Sequence, residues 1–188
     1  MDGLDQLVSK AVSFPASLQL NGRVALVVGG TRGLGQAMAL GLAAAGADVC
    51  IAGRGPAGLA ETAAAVAALG AKGTCFAADA SDEAQVESLT AYVMEEHGQI
   101  DILVNSQGTV ELHPAAEFET TAWQRVMDVN IRSVFLCCKH AGRAMLARGY
   151  DGEVRTLAPP ALRSLDVGTG IVCTLVLLSV YFLGRLVS

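Results

Sequence analysis

The sequence predicts an α/β fold, a parallel sheet with helices on both of its faces. Three observations carry this. Short apolar runs, among them Val24 to Val28, Asp48 to Ala52 and Ile100 to Val104, alternate with alanine- and leucine-rich stretches of helical length. The runs show continuous apolar character rather than polar alternation, as strands covered on both faces require. The connections are short and carry glycine, as βαβ units do.

The first strand is expected at Arg23–Val28, after a turn at Asn21-Gly22. It delivers Gly29-Gly30-Thr31-Arg32-Gly33-Leu34-Gly35, and a helix follows from Gln36 to Ala45, closed by Gly46. A strand, a glycine turn and a helix start make a phosphate cradle: glycines let the backbone approach, and the N–H groups of the helix start point at the anion. The spacing G-x-x-x-G-x-G is looser than the common dinucleotide fingerprint, but the strand and helix stand where that motif needs them.

The second strand, Asp48–Ala52, ends in Gly53-Arg54-Gly55. At this place an acidic residue binds the ribose 2′-hydroxyl of NAD, whereas arginine accommodates the extra phosphate of NADP. Arg54, with Arg32 nearby and no carboxylate, favours NADP(H) over NAD(H). The competing reading is two solvated loop arginines. Pro56 and Gly70 bracket the next helix. A third strand, Gly73–Ala78, leads to Asp79-Ala80-Ser81-Asp82, where Ser81 or Asp82 caps a helix ending near His97-Gly98. His97 is expected on the surface, favourable to the dipole there.

The fourth strand, Ile100–Val104, opens into Asn105-Ser106-Gln107-Gly108, again at a carboxyl edge where ligands collect. His113 in the following loop is a weak catalytic candidate. Thr121 with Gln124 is expected as a capping box opening one long helix to Gly149. Asn130 lies mid-helix among apolar neighbours and needs a partner or a role, since an unsatisfied amide costs roughly 1–3 kcal/mol.

The chain of 188 residues suits one domain, at 21–154, with a leader at 1–20 and an apolar tail at 155–188. The leader places Leu4, Leu7, Val8, Ala11 and Val12 at helical spacing. Composition is 52% hydrophobic and 16% charged, with mean hydropathy +0.45. Net charge −5 argues against nucleic acid as a partner. Cys50, Cys75, Cys137, Cys138 and Cys173 offer no C-x-x-C pair and no metal spacing, so no metal site is expected. No basic export signal precedes them, which reads as reduced cysteine in a cytoplasmic protein.

These motifs, in this order, resemble the short-chain dehydrogenase/reductase family: Gly29-x3-Gly33-x-Gly35, Asp79 after the third strand, Asn105 to Gly108, and Asn130 in the next helix. The wording from Arg125 through Cys138 resembles members acting on gluconate or deoxygluconate. The resemblance covers about residues 15–155 and implies a Rossmann-type, doubly wound sheet. It implies that Gly29, Gly33 and Gly35 hold the pyrophosphate, with Thr31, Arg32 and Leu34 of the same loop also in the cofactor site. Arg32 and Arg54 would meet the 2′-phosphate, Asp79 and Ala80 the adenine, and Asn105 and Gly108 the riboses. Asn130 would be the catalytic-helix asparagine that holds a water in the proton relay. Val28 stands where the family often has threonine, and Ser106-Gln107 where it has Asn-Ala.

The larger departure is chemical. The family reduces a carbonyl while a tyrosine donates a proton, assisted by a lysine four residues later. These 188 residues contain no Tyr-x3-Lys; Tyr181-x3-Arg185 only mimics the spacing. After Gly152-Glu153-Val154, where a fifth strand is expected, Pro159-Pro160 would end it. The sheet is therefore expected to be incomplete on its C-terminal side. That would leave an apolar face on the helix at 121–148 for a homo- or hetero-oligomer. Residues 167–184 are uncharged and at the lower limit for a membrane span. Membrane anchor with the cofactor domain facing the cytosol, core filler and foreign tail all stand as readings. So do three functions: an NADP(H)-dependent oxidoreductase on a small alcohol or carbonyl of sugar-acid or 3-oxoacyl type, a catalytically silent nucleotide-binding module, and a fragment that does not stay folded.

Overall fold

The computed structural model describes residues 18–150. Leader residues 1–17, the expected fifth strand, Cys173, Tyr181, the 167–184 segment and the expected boundary at 154 lie outside the described residues. Within them four strands form one parallel sheet in the order β3-β2-β1-β4: β1 Val24–Val28, β2 Asp48–Gly53, β3 Gly73–Ala77 and β4 Ile102–Asn105. The helices between them are α1 Gly33–Ala44, α2 Pro56–Ala68 and α3 Glu83–His97. After β4 come α4 Thr120–Met127, a π turn Asp128–Arg132 and α5 Ser133–Ala147. This is the Rossmann-type α/β arrangement the sequence predicts.

Every residue of β1 is buried, because alternate side chains enter opposite cores. Val24, Leu26 and Val28 pack with Val86, Leu89 and Val93 of α3 and with Leu136 and Ala141 of α5. Ala25 and Val27 pack with Ala39 and Leu40 of α1 and with Leu59 and Val66 of α2. The sheet thus lies between two helical layers, and its register sets Val28 beside Ala52 on one side and Asn105 on the other. Gly46, Gly70 and Gly98 close α1, α2 and α3 with positive φ, as the sequence suggests.

The last helical region departs from expectation. The Thr121–Gln124 capping box does not form. The helix begins at Thr120 with Glu119 at the cap position, which puts Thr121 inside the first turn, and the Gln124 amide instead donates to Asp128 Oδ1 at 3.0 Å. Nor is the helix regular throughout, since the π turn separates α4 from α5. The fourth strand starts two residues late, with Ile100 buried in the approach to it. His97 is half-buried rather than on the surface, and its Nε2 lies 2.7 Å from Thr74 Oγ1. Burial, and secondarily the charge of Lys72, lowers its pKa, which disfavours the cationic form that a role at the helix end would use.

Candidate cofactor site

The strand order reverses direction between β1 and β4: the chain steps outward from β1 to β2 to β3, then crosses back to β4. Loops leaving the carboxyl ends of β1 and β4 diverge there and open a crevice. A cleft of about 450 Å³ occupies that edge. All four strands contribute to it. Gly29 and the loop to Gly35 come from β1, Gly53 and Arg54 from β2, Ala78 to Ser81 from β3, and Ser106 to Gly108 from β4.

The floor is the glycine turn. Gly29 has φ +85°, and a Cβ there would stand 2.5 Å from the Gln107 backbone nitrogen. A Cβ on Gly35 would overlap the Gly29 carbonyl. The turn is drawn so tightly between the loop after β4 and the start of α1 that neither position admits a side chain. The N-terminus of α1 is left open: Arg32 occupies its cap position with extended backbone and no side-chain cap bond, and no acidic residue stands in the first turn. Open N–H groups over a glycine floor are chemically what a phosphate needs.

At the β3 end, Asp79 Oδ1 accepts from Ser81 N at 2.9 Å and from Ser81 Oγ at 2.7 Å. These two bonds, with help from the Arg54 charge, hold its carboxyl below the ordinary carboxylate value. Arg32 and Arg54 both line the cleft, and among the described residues neither guanidinium forms an ion pair. At the β4 end the wall is Ser106, Gln107 and Gly108, with Val129 and Ser133 from the π turn and the start of α5.

Ten of the eleven cofactor candidates read from the sequence meet in this cleft: Gly29, Thr31, Arg32, Gly33, Leu34, Gly35, Arg54, Asp79, Ala80 and Gly108. Asn105 is not among the lining residues. Its Oδ1 accepts from Gln107 Nε2 at 3.3 Å, and its Nδ2 faces Cys138 Sγ at 3.5 Å. Asn130 also stands back from the cleft, and its amide is engaged in both directions: Oδ1 accepts from Thr109 N and Nδ2 donates to Thr109 O, each at 2.8 Å. The mid-helix amide thus finds its partner in the loop after β4. His113 stacks on Phe118 away from the cleft residues. Sequence reasoning did not find Ser133; its signal is its place one turn after Asn130 and Val129. Among the described residues no cluster of His, Cys, Asp and Glu fits a metal ion.

Comparison with known proteins agrees with this geometry. The profile of the short chain dehydrogenase family matches residues 23–156. The 2-dehydro-3-deoxy-D-gluconate 5-dehydrogenase of Dickeya dadantii is 37% identical over 142 residues, covering 76% of this chain and 55% of that enzyme. The D-threitol dehydrogenase of Mycolicibacterium smegmatis is 33% identical over 158 residues, covering 84% of this chain and 61% of its own length. A short-chain type dehydrogenase/reductase from Mycobacterium marinum superposes with TM-score 0.69 at 33% identity, over 70% of this chain and 53% of that one. The chain spans about half the length of the curated relatives it matches.

Proposed function

The chain belongs to the short-chain dehydrogenase family, and from that footing we propose that its cleft binds NADP(H) as the cofactor half of an oxidoreductase. The substrate side of the reading is a small polyol or sugar acid, the class acted on by the relatives from Dickeya and Mycolicibacterium. The observation that carries it is the open N-terminus of α1 above a floor that excludes side chains. The N–H groups of Gly33 to Gly35 would hold the pyrophosphate. Arg32 and Arg54 would hold the 2′-phosphate, and Asp79 and Ala80 the adenine. A bound nicotinamide would supply hydride transfer. The chain's own residues orient it, and the Asn130–Thr109 pair holds the loop that continues the β4 wall.

A second reading has a specific observation behind it. The 188 residues hold no Tyr-x3-Lys, the pair that supplies the family's proton. A chain that binds cofactor without turning it over is a silent nucleotide-binding module. Fluorescence titration with NADPH and NADH, followed by an NADPH-oxidation assay with small keto acids, separates the readings. Saturable NADPH-preferring binding with turnover supports the enzyme, binding without turnover supports the module, and no binding by folded chain overturns both.

The same proposal extends to self-association, in a cytoplasmic setting. Ile131, Phe135 and Leu146, four and eleven residues apart, leave 59%, 61% and 56% of their surface exposed. Apolar residues at that helical spacing suit a second copy better than water. Light scattering of the purified chain tests this, and a monomer at micromolar concentration would remove it.

A further inference from the structure

The π turn that carries Asn130 is held by a hydrogen-bond chain that runs from Asn105 to Val129. In a regular helix the Ser133 N–H would bond to the Val129 carbonyl. Here it bonds to the Asp128 carbonyl, five residues back. The Val129 carbonyl so released is taken by the Ser133 hydroxyl at 2.5 Å. A hydroxyl has one proton, and this bond engages it, so the Ser133 oxygen faces any other neighbour as an acceptor. The donor that meets it is Gln107 Nε2, at 3.0 Å. The second amide proton of Gln107 goes to Asn105 Oδ1 at 3.3 Å.

Gln107 Oε1, by contrast, is buried and has no donor among the described residues. That orphan decides what the side chain is for. Turning the amide over would set a carbonyl oxygen against Asn105 Oδ1 and against a hydroxyl whose proton is engaged elsewhere, so both N–H groups must point as they do. A buried acceptor left bare is unfavourable, and the arrangement persists because the other two bonds fix β4 to the π turn. Ser133 is itself almost fully buried, and both residues line the β4 end of the cleft.

We propose that Gln107 and Ser133 are a positioning pair: they set the π turn, and through it the Asn130–Thr109 clasp and the nicotinamide-side wall of the cleft. The nucleotide part rests on the dinucleotide reading above; the conformational part does not. Neither residue acts on a reacting atom. Their effect is to keep Val129 and Gly108 where a ligand meets them, while the Arg54–Asp79 end is built from other strands.

The test compares Gln107→Met, Ser133→Ala and Ser133→Thr with the wild-type chain. Three quantities are read: thermal midpoint, the amide resonance of Thr109 in a ¹H–¹⁵N spectrum, and affinities for NADPH and for 2′,5′-ADP. Gln107→Met removes the orphan carbonyl along with the two bonds, so its midpoint stays at or above wild type. The Thr109 resonance nevertheless moves, because Asn130 Oδ1 is its acceptor. NADPH binding weakens about fivefold, the scale of one neutral hydrogen bond, while 2′,5′-ADP binding is unchanged. Ser133→Ala shows the same shift and the same selective weakening, with a lower midpoint because it strips the partner from the Val129 carbonyl and from Gln107 Nε2, and Ser133→Thr, which keeps the hydroxyl, restores the resonance and the affinity. An unmoved Thr109 resonance in Gln107→Met and Ser133→Ala overturns the proposal. So does equal weakening of the two nucleotides. Should wild type bind neither nucleotide, the dinucleotide reading fails, and the Thr109 resonance alone decides whether the pair sets the turn.

Discussion

Helices α1 and α3 both start at the carboxyl edge of the sheet, one loop after a strand, yet their N-termini are finished in opposite ways. At α3 the Asp82 carboxylate accepts from the backbone N–H groups of Ala84 and Gln85, and Gln85 Nε2 donates to its second oxygen at 2.9 Å. Glu83, in the same first turn, takes Lys139 Nζ at 2.5 Å and His140 Nε2 at 3.2 Å from α5. At α1 the corresponding positions hold Arg32, Gly33 and Gly35, with no acid and no cap bond. The helix-end electrostatics are the same in both places. What differs is whether the protein supplies the negative charge itself. A helix start that is fully satisfied from within is structure; one left open above a cleft is a candidate site.

Converting one end into the other gives the largest expected effect. Arg32→Asp places a carboxylate at the α1 cap, where it satisfies the open N–H groups and removes one of the two guanidiniums. NADPH affinity is expected to fall by about a hundredfold or more, while the thermal midpoint holds or rises. Titration and calorimetry on the same sample check both halves, and retained NADPH binding would break the comparison. Next is the floor. Gly35→Ala drives a methyl group into the Gly29 carbonyl and is expected to destabilise the chain by about 1–3 kcal/mol, with loss of binding. Gly33, at φ +57° with open space where a Cβ would go, is the sharper control: alanine there meets only the left-handed backbone cost, about 1–2 kcal/mol. Chemical denaturation ranks the two. Asp82→Ala is the mirror experiment at α3: the midpoint falls by a few degrees and NADPH affinity stays within about twofold.

The sequence carried the open end well because its signals are local. Strand, glycine spacing and helix start are all read within a dozen residues, and the parallel sheet follows from alternating βα units. Asp82 was legible for the same reason. The misreadings arise where the answer lies across space. The Thr121 pattern fits a capping box, but the helix starts one residue earlier and Gln124 finds Asp128. His97 looks like a helix-end cation until Thr74 on the neighbouring strand is brought to it. The π turn depends on Gln107, twenty-six residues from Ser133, and no periodicity encodes that pairing.

Acid titration reads the carboxylates of the β3–α3 turn. In the folded chain Glu83 is lowered chiefly by Lys139, Asp82 by Gln85 and Asp79 by Ser81, each below ordinary values of 4.5, 3.8 and 3.8. A carboxyl group with a lowered folded pKa stabilises fully above its unfolded value and loses that contribution as pH falls through the folded one. These three therefore act below about pH 4.5. His97, at the other end of α3, acts earlier. Burial lowers it from 6.5, so the unfolded chain takes up the proton first and stability declines as pH drops below that value. Thermal midpoints measured from pH 7 to pH 3 should then fall in two stages. His97→Gln is expected to flatten the stage that sets in below about pH 6.5 and leave the acid stage in place. An unchanged upper stage in that variant would show that His97 does not set it, and that the acid response of α3 belongs to its capped N-terminus.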